Sequence, residues 1–279
     1  MTGGELIAVG KAAEAVGKNA LGEDEKTKDV LLRIAEDTPE MTAAARSMAA
    51  RTAVKERVKL KLYQPFARML GVSKAYFEDT FPQEMGAKIA DVPDENLITP
   101  PASLAVPALQ GLSYTFEEPS LKELYLNLLA TASDDRRADQ AHPAFAEIIK
   151  QLAPNETKLL NLTLRMRGTV VARIKDLVGK PLGSYVVLMS HLLPLVDETT
   201  GEPKEEPQAP TWVDNWQRLG LVNVTYAEFA TAEHAYDWVE TRPEYVRMSE
   251  HPKVTKLSFD KGLIRTTDFG WQFLRAVTE

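Results

Sequence analysis

Between Pro100 and Met166 the chain is cut by prolines and charged loops into helical segments too short to bury their apolar faces except against one another. Pro100-Pro101 opens ASLAVPALQGL, in which Leu104, Ala105, Ala108, Leu109 and Leu112 share one helical face. Pro107 sits inside that face and removes one backbone bond, which predicts a kink or a restart. Ser120-Leu121-Lys122-Glu123 has the spacing of a capping box, and Leu121, Leu124, Tyr125, Leu128, Leu129 and Ala132 follow at helical spacing. A charged loop, SDDRRADQA, ends that helix. His142-Pro143 opens the next, with Phe145, Ile148, Ile149 and Leu152 on one face, and Pro154 starts NETKLLNLTLRM. Short loops between such segments predict a helical bundle.

The flanks read differently. Residues 1–37 are rich in glycine and predict weakly ordered helices. Thr38-Pro39-Glu40 is a helix start, and the helix continues through AAARSMAARTAVKERVK. Val58–Leu62, VKLKL, alternates like a strand, but its Ala- and Arg/Lys-rich surroundings favour helix. Gly71 closes this helix, and the next fades before Pro93.

Beyond 168, Tyr185–Val196, YVVLMSHLLPLV, is too short to span a bilayer and reads as a buried helix. The acidic, Pro-rich segment 197–210 has no apolar period and reads as a loop or linker. A short helix at WVDNWQRLG, a strand at LVNVTY, a helix over Ala227–Thr241, a β-hairpin VTKLSFDKGLIRTT turning at Asp260-Lys261-Gly262, and a last helix capped by Thr267 complete the reading. That order resembles a winged-helix unit. The expectation is a mainly α protein: a helical-bundle core over 38–168, then a smaller winged-helix-like α+β domain over 169–279.

Composition bounds the chemistry. Cysteine is absent, which excludes disulfides and thiolate metal sites and fits a reducing, cytoplasmic setting. No basic start followed by a long apolar run marks a signal peptide. The net charge is -7, yet Arg46, Arg51, Lys55, Arg57, Lys59, Lys61 and Arg68 face only Glu56 between Met41 and Leu70, so that segment carries +6 and the remainder -13. Three readings of this segment stand: a solvated helix face, a contact for nucleic-acid phosphates, or a contact for an anionic membrane surface.

Catalytic motifs are not found. Gly179-Lys180-Pro181 lacks the upstream glycine of a phosphate loop and has Pro where Ser or Thr would bind magnesium. Asp134, Asp135, Asp139 and His142 could in principle hold a divalent cation, but they lie at helix ends, where polar side chains satisfy free backbone groups, beside the neutralising Arg136 and Arg137. No cofactor is expected. In the winged-helix-like part, Asn215, Gln217 and Arg218 are the recognition-helix candidates, and only one of them is basic. The four tryptophans read as core or interface residues.

One stretch carries a family resemblance: Pro93-Asp94-Glu95-Asn96-Leu97, Pro100-Pro101, Leu126–Ala130, His142-Pro143-Ala144-Phe145 and Ile148–Pro154. In these parts the chain resembles the bacterial abortive infection alpha family over Tyr63–Met166, with weaker agreement over Leu219–Val277. Ala153 stands where similar sequences tend to carry Ser, which weakens the cap before Pro154. The resemblance implies a role in phage exclusion and brings no catalytic residues. The expected function is therefore a non-enzymatic defence protein that binds a polyanion or a protein partner, with possible self-association. The alternatives are a winged-helix DNA-binding regulator and an effector active at the membrane surface.

Overall fold

The computed structural model describes residues 75–178 and 184–278, with Val58 before them. The helices expected over 1–37, and all of the next one except Val58, lie outside the described residues. Val58 itself is helical and buried.

The Pro-punctuated segments fold as helices. A π-helical turn at Tyr76–Thr80 leads into α1 (Phe81–Lys88). Then come α2 (Ala102–Thr115), α3 (Pro119–Ser133), α4 (Ala144–Ile149) and α5 (Thr157–Arg165). α3 is the hub: Leu121, Leu124, Tyr125, Leu128 and Leu129 are all buried, and α1, α2, α4 and α5 all pack against it. Two details refine the expectations. α2 runs through Pro107 without a restart. α3 begins at Pro119, so Ser120 is inside the helix and cannot cap it; its hydroxyl donates to the Pro154 carbonyl instead, at 3.2 Å.

The rest of the chain builds an antiparallel sheet and four more helices. β1 (Thr169–Leu177) and β2 (Tyr185–Leu192) are followed by α6 (Ala209–Arg218) and β3 (Val222–Thr225). α7 (Trp238–Thr241), α8 (Pro243–Ser249), β4 (Leu257–Thr266) and α9 (Asp268–Thr278) complete the chain. The sheet order is β2-β1-β4-β3. The described residues thus form an α+β fold.

Three expectations are corrected here. Tyr185–Val196 is not a buried helix. Its first eight residues form β2, where Val186 and Val187 suit the pleat and Tyr185 pairs with Leu177. Residues 254–267 are not a hairpin. β4 is one strand, with Lys261 and Gly262 in mid-ladder opposite Ala172 and Val171. Gly262 marks close packing rather than a turn, because a Cβ there would lie 2.6 Å from the Thr225 carbonyl oxygen. The hairpin expected as the wing is therefore a single strand, and β4 lies inside the sheet. Finally, Ala227–Thr241 is helical only from Trp238, and it covers one sheet face as an irregular segment.

Other terminal signals are met. Gly220, with φ of 75°, follows α6, and the Thr267 hydroxyl accepts the Gly270 N–H at 2.9 Å at the start of α9.

The parts expected as two domains share one buried cluster. Val171, Val213, Trp216, Ile264, Phe273 and Val277 belong to the same core as the residues of α1–α5. Polar ties reinforce it: Asn127 of α3 donates to the Val277 carbonyl at 2.7 Å, and Thr131 to the Ala276 carbonyl at 3.0 Å. These side chains satisfy carbonyls that the last turn of α9 leaves open. The opposite sheet face has its own smaller core, with Ala172, Ile174, Leu192, Tyr236 and Val239.

Candidate functional site

A connected group of polar side chains lies across the sheet near α6. α6 buries Val213 and Trp216 and leaves Asp214 exposed between them. Asp214 Oδ1 is 2.9 Å from His191 Nε2, near the end of β2. His191 Nδ1 is 3.0 Å from the Tyr226 hydroxyl, which also accepts the His191 backbone N–H at 3.2 Å. The two rings lie nearly parallel, at 16°. His191 has φ of 55°, in the left-handed region that few side chains adopt. Arg173 of β1 stands 4.4 Å from the centre of the Tyr226 ring and donates to Asp260 of β4 at 2.7 Å. Lys175 also donates to Asp260, and its ammonium lies 4.9 Å from the centre of the Tyr185 ring.

The electrostatics follow from these contacts. Burial alone would raise the Asp260 carboxyl, but the bonds from Lys175 and Arg173 outweigh it and hold the group below its ordinary range. Burial pushes the Tyr226 phenol up. His191 Nε2 faces the Asp214 carboxylate and Nδ1 faces the Tyr226 hydroxyl. The ring nitrogens and the phenol are then used within the chain. The network ties β1, β2, β4, α6 and the residue after β3 into one unit.

The recognition-helix candidates lie on the same α6, with Asn215 and Arg218 turned toward the α4–α5 connection and Gln217 toward β3. Asn215 donates to the Gln151 carbonyl at 3.0 Å. Arg218 donates to the Gln151 side chain at 2.9 Å and to Asn215 Oδ1 at 2.6 Å. Gln217 accepts the Val224 N–H at 3.1 Å. A cleft of about 650 Å³ runs along this face, lined by Lys150, Trp212, Asn215 and Arg218. Beneath it, buried Glu156 accepts the Trp216 indole N–H and the Ala153 N–H. This is the half of a capping box that Ala153 leaves possible. Burial raises the Glu156 carboxyl despite those two bonds.

Asp134, Asp135, Asp139 and His142 are not brought to one point. Among the described residues no group of three or more His, Asp or Glu side chains could hold a metal ion. Asp134 is buried and takes two bonds from the Arg136 guanidinium, at 2.8 and 2.7 Å, which hold its carboxyl low. His142 Nδ1 accepts the Ala144 N–H at 3.1 Å at the start of α4, and its ring packs on Phe145 and Phe269. Of the basic candidates, Arg46, Arg51, Lys55, Arg57, Lys59, Lys61 and Arg68 all lie outside the described residues.

Sequence reading missed Asp214, His191, Tyr226, Arg173 and Asp260 as a group. No motif spacing links them, since they meet only when the strands pair; Arg173 and Asp260 are 87 positions apart. Their one outward sign was a lone histidine in an apolar run.

The described residues define an α+β protein in which helices share a core with a four-stranded antiparallel sheet. The family model described as abortive infection alpha matches residues 73–277, most of the chain. The chain belongs to that family, and membership assigns it to abortive infection, a defence against phage. Nothing among curated proteins or among solved structures matches it. No helix among the described residues is long and apolar enough to cross a membrane.

Proposed function

We propose that the protein serves phage defence by contact rather than by bond-making, and that its basic segment engages a polyanion. The observation that supports this reading is the segregation of charge: +6 within Met41–Leu70 against -13 in the rest of the chain. A segment of that sign on an acidic body meets phosphates by counterion release, and it is kept from non-specific collapse onto them by its own acidic remainder.

The DNA-regulator alternative has less support. Asn215 and Arg218 are bonded to the chain's own Gln151, and Gln217 to β3. Reading bases would require α6 to give up those bonds.

The test is co-sedimentation with anionic vesicles set beside retention on duplex DNA, each over a salt series. Binding should weaken steeply with salt, and Lys55→Glu, Lys59→Glu and Lys61→Glu together should abolish it. Neither target being bound at low salt would end the polyanion reading. A DNA shift that survives this triple variant but is lost in Arg218→Glu would favour the regulator.

A further inference from the structure

The cleft between α6 and the α4–α5 connection contains a buried carboxyl whose bonding capacity the local packing does not use up. Gln208, Trp212, Asn215 and Arg218 recur at helical spacing and line one wall, about 15 Å long at about 1.5 Å per residue. Residues 150–156 supply the other wall, and the volume of about 650 Å³ is that of a small-molecule site. Glu156 belongs to the lining although it is only 2 % exposed. Its Oε1 accepts the Ala153 N–H and its Oε2 the Trp216 indole N–H. A carboxylate oxygen accepts two bonds, so each keeps one position open. No cation pairs with this group among the described residues, and burial raises its carboxyl. A further N–H donor arriving from the cleft stabilises the charged form.

The Arg218 end of the cleft is cationic. Gln151 Oε1 at 2.9 Å and Asn215 Oδ1 at 2.6 Å both hold Arg218 Nη2. Those bonds orient the guanidinium and leave Nε and Nη1 without a hydrogen bond among the described residues. Lys150, next to Gln151 in the chain, adds a second cation to the lining; its side chain is 66 % exposed and stands 3.9 Å from Glu147. Asp214, the other acid of the lining, is engaged by His191. Trp212, partly buried against the core, gives the wall an aromatic surface.

We propose that this cleft binds a guanine nucleotide, with its phosphate on Arg218 and Lys150, its base against Trp212, and the N–H donors of the base on Glu156. Each group of the site asks for one part of that ligand. A guanidinium and an ammonium recognise a phosphate. An indole stacks with any base, because every base has a π-face. A carboxylate only accepts, so it favours a base edge with two neighbouring N–H donors. Guanine carries such a pair. Adenine and cytosine set an amino donor beside a ring acceptor, and uracil sets a single donor between two acceptors. The proposal does not depend on the polyanion reading, since it uses no residue of the basic segment.

Titration of the full chain with GMP, followed by calorimetry and tryptophan fluorescence, tests it, with AMP and guanosine as comparisons. GMP should bind, and both AMP and guanosine should bind about 10-fold or more weakly, as expected for the loss of hydrogen bonds to charged groups. Arg218→Gln and Lys150→Gln should each weaken GMP and leave guanosine unchanged. Both side chains are exposed, so these two variants should fold as the wild type does, with circular dichroism and thermal unfolding as the check. Glu156→Gln replaces an acceptor with a donor and should remove the preference for GMP over AMP. Trp212→Phe should keep binding and lose most of the fluorescence change. A wild type that binds no GMP at about 1 mM, or that binds AMP equally well, overturns the proposal. GMP binding indifferent to both Arg218→Gln and Lys150→Gln also overturns it, by placing the site elsewhere.

Discussion

Arg242 offers the sharpest test of how the sheet half holds together. It is only 2 % exposed, and its guanidinium meets Glu244 through two bonds, at 2.7 and 3.1 Å. The same group donates to the Lys204 carbonyl at 2.7 Å and to the Leu195 carbonyl. It therefore fastens Leu195, just before the acidic loop, and Lys204, in the middle of it, to the start of α8. Arg242→Met removes the charge and keeps much of the volume. Glu244, itself buried, is left without its partner, and two carbonyls lose their donor. Breaking a buried pair in this way costs about 3–5 kcal/mol. In a body of this size each kcal/mol lowers the melting temperature by about 2–4 °C, so a fall of roughly 6–20 °C is expected. Arg242→Met with Glu244→Leu should recover most of the loss, because a buried pair exchanged for apolar groups is often neutral or better. Urea unfolding of the two single variants and the double variant measures the coupling, provided the denaturant slope is unchanged. A loss below about 1 kcal/mol for Arg242→Met, or a double variant no better than the single, would refute the reasoning.

Three further outcomes follow from the contacts. Asn127→Ala strips a donor from the last turn of α9 and should cost about 1–2 kcal/mol in chemical denaturation, with Thr131→Val adding a similar loss. Asp260 has a lowered carboxyl, so its stabilising effect is present above the unfolded-state value and is lost as pH falls through the lower folded value; stability followed down an acid titration should fall less steeply in Asp260→Asn than in the wild type. Gly262→Val drives a side chain into the Thr225 carbonyl and the Tyr226 ring, so it should lower the thermal transition by several degrees and broaden the near-ultraviolet tyrosine signal.

The helices were legible because their periods and punctuation agree. Pro100-Pro101, His142-Pro143 and Pro154 each stand at a helix start, and the face of Leu121, Leu124, Tyr125 and Leu128 is buried as its spacing requires. The sheet was harder to read because its signals are shared with other structures. The mainly apolar twelve-residue run from Tyr185 suits a buried helix as well as a strand, and only the pairing with β1 settles which forms. Asp260-Lys261-Gly262 carries turn residues, yet each has a sheet partner: Asp260 answers Arg173 and Lys175, and Gly262 makes room for Tyr226. The segment 197–210 reads as a free linker by composition. It is fastened from outside by Arg242, by Lys158 to Glu198 and by Arg247 to Glu205, partners supplied by distant parts of the chain. The Asp214–His191–Tyr226 group was invisible for the same reason, since each member comes from a different element.

The central claim is that contact through the cationic segment carries defence. Phage plating on bacteria that express either the wild type or the Lys55→Glu/Lys59→Glu/Lys61→Glu variant, at matched protein levels, tests it most directly. Plaque formation should be suppressed by the wild type and restored by the variant. Full protection by a folded variant would contradict the claim.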